Sequence, residues 1–271
     1  MASTVSIPAL QQMKRDGKKI VGVVAYDYQM AKIADRAGVD IVSVGDSVGV
    51  NLWGHQSELE VTLDEMILAC RAVRRGVTRA LVSCDFPFGP LQEGPEAAVR
   101  TAIQLVKEGG TDLVKLDGAS AFPDAVRAVT RAGIPVWAQF GITPHTALQY
   151  GGMAKAGPEL AAEMKDQLVS EARLLEEAGA AILDFTNSGP VAGPAAVAAV
   201  RIPVIGGLGG GPWLDGRVRA IVAAIGYLAS ALDDGAERYA NVAQTALDAI
   251  ITYADDVRAG RQVKGAPRPR S

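Results

Sequence analysis

The sequence predicts an α/β fold, a (β/α)8 TIM barrel with additional C-terminal helices, spanning residues 1–261. Three observations carry that expectation. Short β-branched runs alternate with helical patterns along most of the chain. The helical patterns tend to finish in a glycine, as in AGVD, RRGV, EGGTD, RAGIP and EAGAA, where glycine supplies the left-handed residue that closes a helix. The 271 residues, 49% of them hydrophobic, suffice for one large core of the size α/β barrels reach.

In chain order, strands are expected at VGVVAYD (21–27), DIVSVGD (40–46), RALVSCD (79–85), TDLVKLD (111–117), IPVWAQF (134–140), AAILDF (180–185) and IPVIGG (202–207). Helices are expected at residues 28–36, 62–75, 95–107, 122–131, 157–177 and 190–200. Strands alternating with helices indicate a parallel sheet covered on both faces, so its strands read as near-continuous apolar runs. An eighth strand is expected in the Ala-rich segment before Tyr227, and one or two helices within 233–260. A doubly wound sheet is the competing topology, but no GxGxxG opens the first helix, where the chain reads AYDYQMAK. The glycine-rich run 206–211 has no Lys-Ser/Thr pair, so it is a tight barrel-top loop or a ligand-contacting one rather than a Walker loop. Residues 262–271 are polar and proline-bearing, the composition of a terminal tail.

Composition removes several function classes. With 27 Lys+Arg against 30 Asp+Glu, the formal net charge is -3, the opposite of a nucleic-acid footprint. No stretch approaches a membrane span, and the N-terminus lacks the apolar stretch of a signal peptide, so a cytoplasmic protein is expected. Two cysteines, Cys70 and Cys84, and two histidines, His55 and His145, exclude a disulfide scaffold and a Cys- or His-rich metal cluster. Catalysis must fall mainly on carboxylates, lysines, hydroxyls and a bound cofactor.

Four consecutive predicted strands end in an aspartate: Asp27, Asp46, Asp85 and Asp117. In a barrel these ends share the C-terminal face, which holds the active site. Carboxylates crowded there repel unless a cation compensates, and Mg2+ prefers all-oxygen sites. Asp46, Asp85 and Asp117 are therefore the expected metal set, against the plainer reading of strand-end aspartates as helix caps. Lys115, two residues before Asp117, shares its strand face and is suited to a carboxylate partner or an anionic substrate. The loop after the second strand, 46–66, carries Ser47 and His55, the latter suited to substrate contact or to fixing the loop. His145, after Thr143-Pro144, reads as a helix-start residue outside the site.

The stretch AYDYQMAKIADRAGVDIVSVGDSVGVNLWGH, with VTLDEM, CDFPFG, VKLDG, FGITP and DGR after it, resembles the ketopantoate (3-methyl-2-oxobutanoate) hydroxymethyltransferase family. That family lies among the phosphoenolpyruvate mutase/isocitrate lyase-like barrels. The resemblance runs from about residue 5 to about residue 260. It implies transfer of a one-carbon unit from 5,10-methylenetetrahydrofolate to the β-carbon of a short branched 2-oxo acid. It further implies Mg2+ on Asp46 and Asp85, Asp117 in the same acidic cluster, Ser47 beside the substrate carboxylate, and a homo-oligomer, often a decamer. Two positions depart from the family pattern. Thr186 stands where the family has a glutamate taken as the base, and Gln139 where it has a histidine. Asp184, two residues before Thr186, is the expected substitute base. The departures leave two other readings open: a metal-dependent aldolase, lyase or decarboxylase acting on a different 2-oxo acid, and a non-catalytic barrel used in assembly.

Overall fold

A computed structural model of the chain describes residues 4–152, 155 and 157–265; part of the expected tail, residues 266–271, lies outside them. The chain falls into two compact units, Met1–Arg219 and Ala220–Ser271, a finer division than the single domain expected over 1–261.

Eight parallel strands close in sequence order into a barrel. They are β1 (Ile20–Val24), β2 (Ile41–Val44), β3 (Leu81–Asp85), β4 (Leu113–Leu116), β5 (Val136–Gly141), β6 (Ile182–Thr186), β7 (Val204–Gly206) and β8 (Gly216–Ala220). The first seven coincide with the expected runs. The eighth is formed by GRVRA, ahead of the Ala-rich stretch that was expected to supply it; residues 221–224 of that stretch are helical. The arginines conceal it: Val218 faces inward while Arg217 and Arg219 face out, so the strand never reads as an apolar run.

Side chains alternate across each strand, and the barrel interior fills in layers as this alternation dictates. Ile20, Ile41, Leu81, Leu113, Trp137, Ile182, Ile205 and Val218 form the bottom layer. Helix α1 (Ile7–Arg15) contributes Leu10 to the same cluster, closing the end of the barrel opposite the strand C-termini. This helix precedes the expected strand–helix alternation, and its start is marked locally: the Ser6 hydroxyl accepts a hydrogen bond from the Ala9 N–H, with proline following in the first turn. Lys14 of α1 pairs with Asp215 at 3.0 Å, fastening the helix to the chain just before β8.

The outer helices follow the expected punctuation. α2 (Tyr28–Arg36) is capped by Asp27, which accepts from the N–H groups of Gln29 and Met30, so this strand-end aspartate is a cap and not a site group. α3 (Leu63–Gly76) opens with a capping box between Thr62 and Glu65. Next come α4 (Pro95–Gln104), which runs on as a wider turn over Leu105–Gly109, and α5 (Pro123–Arg131). The helix expected over 157–177 is two, α6 (Pro158–Glu163) and α7 (Lys165–Glu177), divided at Met164. α8 (Gly189–Ala199) follows β6. Asp35 of α2 accepts from the backbone N–H groups of Thr78, Arg79 and Ala80 and from the Thr78 hydroxyl, fixing the entry to β3.

In the second unit, α9 (Ile221–Ala224) leads through a single-turn helix at Ala229–Leu232 to α10 (Val242–Arg258), capped by Asn241. Backbone bonds from Tyr239, Val242 and Ala243 back to Ala224, Ile225 and Gly226 hold this unit together. Among the described residues, no helix is long and apolar enough to cross a membrane.

Candidate active site

Above the apolar bottom layer, the alternation that points Leu113 inward also points Lys115 and then Asp117 inward. It does the same for Ile182, Asp184 and Thr186 on β6, and for Trp137 and Gln139 on β5. A polar, charged upper interior results at the C-terminal mouth.

Lys115 is the hub of the charged part. Its Nζ lies 3.2 Å from Asp85 Oδ2 and 3.2 Å from Asp184 Oδ2, joining β3 to β6 through β4. The Trp137 ring lies 5.6 Å from the same ammonium. Burial works against a charged Lys115, but Asp85, Asp184, Asp46 and Asp117 outweigh it and hold its pKa above the ordinary range. Burial pushes the Asp85 carboxyl up against the pull of Lys115, and does the same to Asp184. Ser43 donates to Asp85 Oδ1 at 3.2 Å. Asp184 Oδ1 is buried with no hydrogen-bond partner, and so is Asp117 Oδ1.

His145 corrects the sequence reading. The loop after β5 carries it back over the mouth, where Nε2 lies 3.1 Å from Asp46 Oδ2 and Nδ1 3.7 Å from Asp117 Oδ2. Burial opposes its charge, yet the bond to Asp46 and the charge of Asp117 leave its pKa above the usual histidine value. Nothing in the local pattern TPHT announces this, because the contact depends on how a loop folds across three strands.

Ser47 reaches the same mouth. A Cβ at Gly45 would stand 2.9 Å from Ser47 Oγ and 3.7 Å from Asp85 Oδ2, so glycine there lets the two groups converge. The Ser47 hydroxyl is hydrogen-bonded to the Tyr26 phenol at 2.9 Å, and the Asn51 amide donates to that phenol. His55 is not brought to the acidic groups. Its Nε2 lies 3.5 Å from Glu65 Oε1 on α3, and Gly49 packs against its ring, the arrangement of a residue that fixes its loop.

On the β5–β6 side the two departures from the family pattern meet each other. Gln139 donates through Nε2 to Thr186 Oγ1 at 2.9 Å, a buried, neutral pair. Beyond it, Asn187 adopts a left-handed backbone (φ 56) and donates to the Ile142 carbonyl at 2.8 Å, tying β6 to the loop that carries His145. Both cysteines are free and buried, and burial pushes the Cys84 thiol up, the condition of an inert thiol.

Four aspartates face two cationic side chains here, so with the carboxylates ionised the cluster carries excess negative charge even with His145 protonated, and burial pushes Asp85, Asp117 and Asp184 toward the neutral form. That excess suits a hard divalent cation, and Asp117 Oδ1, buried without a hydrogen-bond partner, is an oxygen that water on such a cation could satisfy. The three-carboxylate set expected from the sequence does not by itself form a metal nest: among the described residues no three His, Cys, Asp or Glu side chains are so grouped. The carboxylates are drawn to cationic side chains instead, Asp46 and Asp117 both to His145 and Asp85 to Lys115. Mg2+ asks for less, usually one or two carboxylates with water and substrate oxygens.

A ketopantoate hydroxymethyltransferase family model matches residues 4–262. The chain is 42% identical over 257 residues to a 3-methyl-2-oxobutanoate hydroxymethyltransferase of Cyanothece sp., covering 94% of this chain and 96% of that one. Among solved structures it resembles 2,3-dimethylmalate lyase, a PEP mutase/isocitrate lyase superfamily member, with a TM-score of 0.59 at 15% identity over 100% of this chain and 93% of that chain. It also resembles phosphonopyruvate hydrolase in complex with oxalate and Mg2+, with a TM-score of 0.56 at 14% identity over 99% and 92% of the two chains.

Proposed function

The chain belongs to the ketopantoate hydroxymethyltransferase family, and on that premise we propose that it is a Mg2+-dependent hydroxymethyltransferase making 2-dehydropantoate. In this reaction C3 of 3-methyl-2-oxobutanoate loses its proton and forms a carbon–carbon bond to the one-carbon unit of 5,10-methylenetetrahydrofolate. One water supplies the new hydroxyl, and tetrahydrofolate leaves.

The observation that carries the proposal is the buried chain Asp85–Lys115–Asp184, which ends in an unpartnered carboxylate oxygen. Asp46 and Asp85 would hold the cation, with Asp117 reaching it through water; when bound, Mg2+ supplies Lewis-acid polarisation of a keto oxygen. Ser47, held by Tyr26, donates to the substrate carboxylate. Asp184 Oδ1 accepts the C3 proton; its burial favours the protonated product of that step, as a general base working near neutrality requires. Lys115 keeps its charge throughout, offsetting Asp85 and orienting Asp184 through the other carboxylate oxygen. Thr186 and Gln139 take no proton and orient the substrate beside Asp184.

The neutral Gln139–Thr186 pair favours one second reading, C–C cleavage or decarboxylation of another 2-oxo acid, in which the carbanion forms without removal of a C–H proton. Mass spectrometry separates the two. Incubation with 3-methyl-2-oxobutanoate, 5,10-methylenetetrahydrofolate and Mg2+ is expected to yield 2-dehydropantoate, and chelation by EDTA to stop it. Absence of that product, together with fragmentation of another short 2-oxo acid in a parallel screen, would overturn the transferase in favour of the lyase. Assembly into a homo-oligomer, up to a decamer, belongs to the same proposal and is read by sedimentation.

A further inference from the structure

We propose that His145 is a positioning residue for the cation site: a clamp that fixes one oxygen of Asp46 so that the other is presented to the metal. The proposal rests on the reading above that Asp46 helps hold a divalent cation.

The geometry is that of a bridge. Asp46 follows β2 and Asp117 follows β4, with the β3 end between them, so the two backbone positions stand about two strand spacings, roughly 10 Å, apart, and the side chains must lean toward a common partner to share it. One imidazole spans the gap, with Nε2 at 3.1 Å from Asp46 Oδ2 and Nδ1 at 3.7 Å from Asp117 Oδ2. The His145 backbone N–H also donates to Asp117 Oδ2, at 3.4 Å, anchoring the loop to the same carboxylate as the ring. Phe88 meets the imidazole edge-on, with ring centroids 5.4 Å apart at 89°, and only 5% of the histidine side chain is exposed. The ring is thus held on two edges and one face, and neither nitrogen is turned to solvent.

Such an arrangement does what partners of metal ligands do elsewhere. It sets the rotation of a ligating carboxylate and neutralises charge that would otherwise repel its neighbours. A carboxylate has two oxygens, and His145 engages one of Asp46's. The family resemblance puts glutamine at 139 in place of a histidine near the substrate; in this chain an imidazole reaches the acidic groups from six residues further along.

The test reads Mn2+ affinity by electron paramagnetic resonance on the full chain, with no turnover needed. Glutamine sets its amide nitrogen where histidine has Nε2, and asparagine where histidine has Nδ1. We expect His145→Ala to weaken Mn2+ binding about tenfold or more, His145→Gln to restore most of it, and His145→Asn to leave it weak. Thermal melts identify any variant that fails to fold, and the Gln–Asn comparison decides the matter if the Ala variant does. Wild-type affinity in His145→Ala, or equal loss in Gln and Asn, overturns the clamp while the cation site stands, provided that Asp46→Asn abolishes binding. If the unaltered protein binds no Mn2+, the cation reading and the clamp fall together.

Discussion

The two sides of the barrel mouth differ in kind. From β2 to β4 the interior is charged: Asp46, Asp85 and Asp117 with Lys115 among them and His145 across the top. At β5 and the tip of β6 it is neutral, an amide donating to a hydroxyl. Asp184 stands at the seam, on β6 by sequence but joined to the charged side by Lys115. The contrast locates what the proposed proton transfer relies on: Asp184, one layer deeper in the same strand than the neutral tip, is joined through Lys115 to the acidic side.

Removing charge on the acidic side should have the largest effect. Asp46→Asn or Asp85→Asn is expected to lower metal-dependent turnover by at least about a hundredfold, measured as product formation, while circular dichroism stays unchanged. Asp184→Asn is expected to cost about 10²–10⁴-fold in turnover, the range of a lost general base, with Mn2+ affinity retained. Thr186→Val, on the neutral side, removes one hydrogen bond and should cost less than about tenfold in kcat/KM. A larger loss there than in Asp184→Asn would break the contrast between the two sides.

The smallest effect on chemistry is expected far from the mouth. Burial raises the pKa of Asp35, but the N–H groups of Ala80, Thr78 and Arg79 and the Thr78 hydroxyl outweigh it and hold the carboxyl below its usual range. A lowered folded-state pKa contributes stability above the unfolded value, lost as pH falls through the folded one. Asp35→Ala is therefore expected to destabilise the fold by about 2 kcal/mol at neutral pH, with turnover of the folded enzyme unchanged. Denaturation at a series of acidic pH values should find the gap between the two proteins closing below pH about 4.

What could be read from sequence divides along the same line as the chemistry. Local periodicity delivered α2 at its observed bounds and the strands up to β7, because buried parallel strands and capped helices advertise themselves within a few residues. Asp117 was legible for the same reason, since the i, i+2 rule carries inwardness from Leu113 to Lys115 and Asp117, whereas Asp27, read by the same strand-end position, is a helix cap. His145 was not legible, because it joins the site through a loop crossing three strands. β8 was misplaced because outward arginines interrupt its apolar positions. His55, which its loop position suits to substrate contact or to fixing that loop, pairs with Glu65 on the neighbouring helix, the geometry of the second role.

The central claim is that the C3 proton goes to Asp184 and not to the neutral pair. Proton NMR of 3-methyl-2-oxobutanoate in D2O, with Mg2+ and without folate, measures that transfer alone. The account predicts enzyme-dependent loss of the C3–H signal in the unaltered protein and in Thr186→Val, and none in Asp184→Asn. Exchange that survives in Asp184→Asn and disappears in Thr186→Val would contradict it.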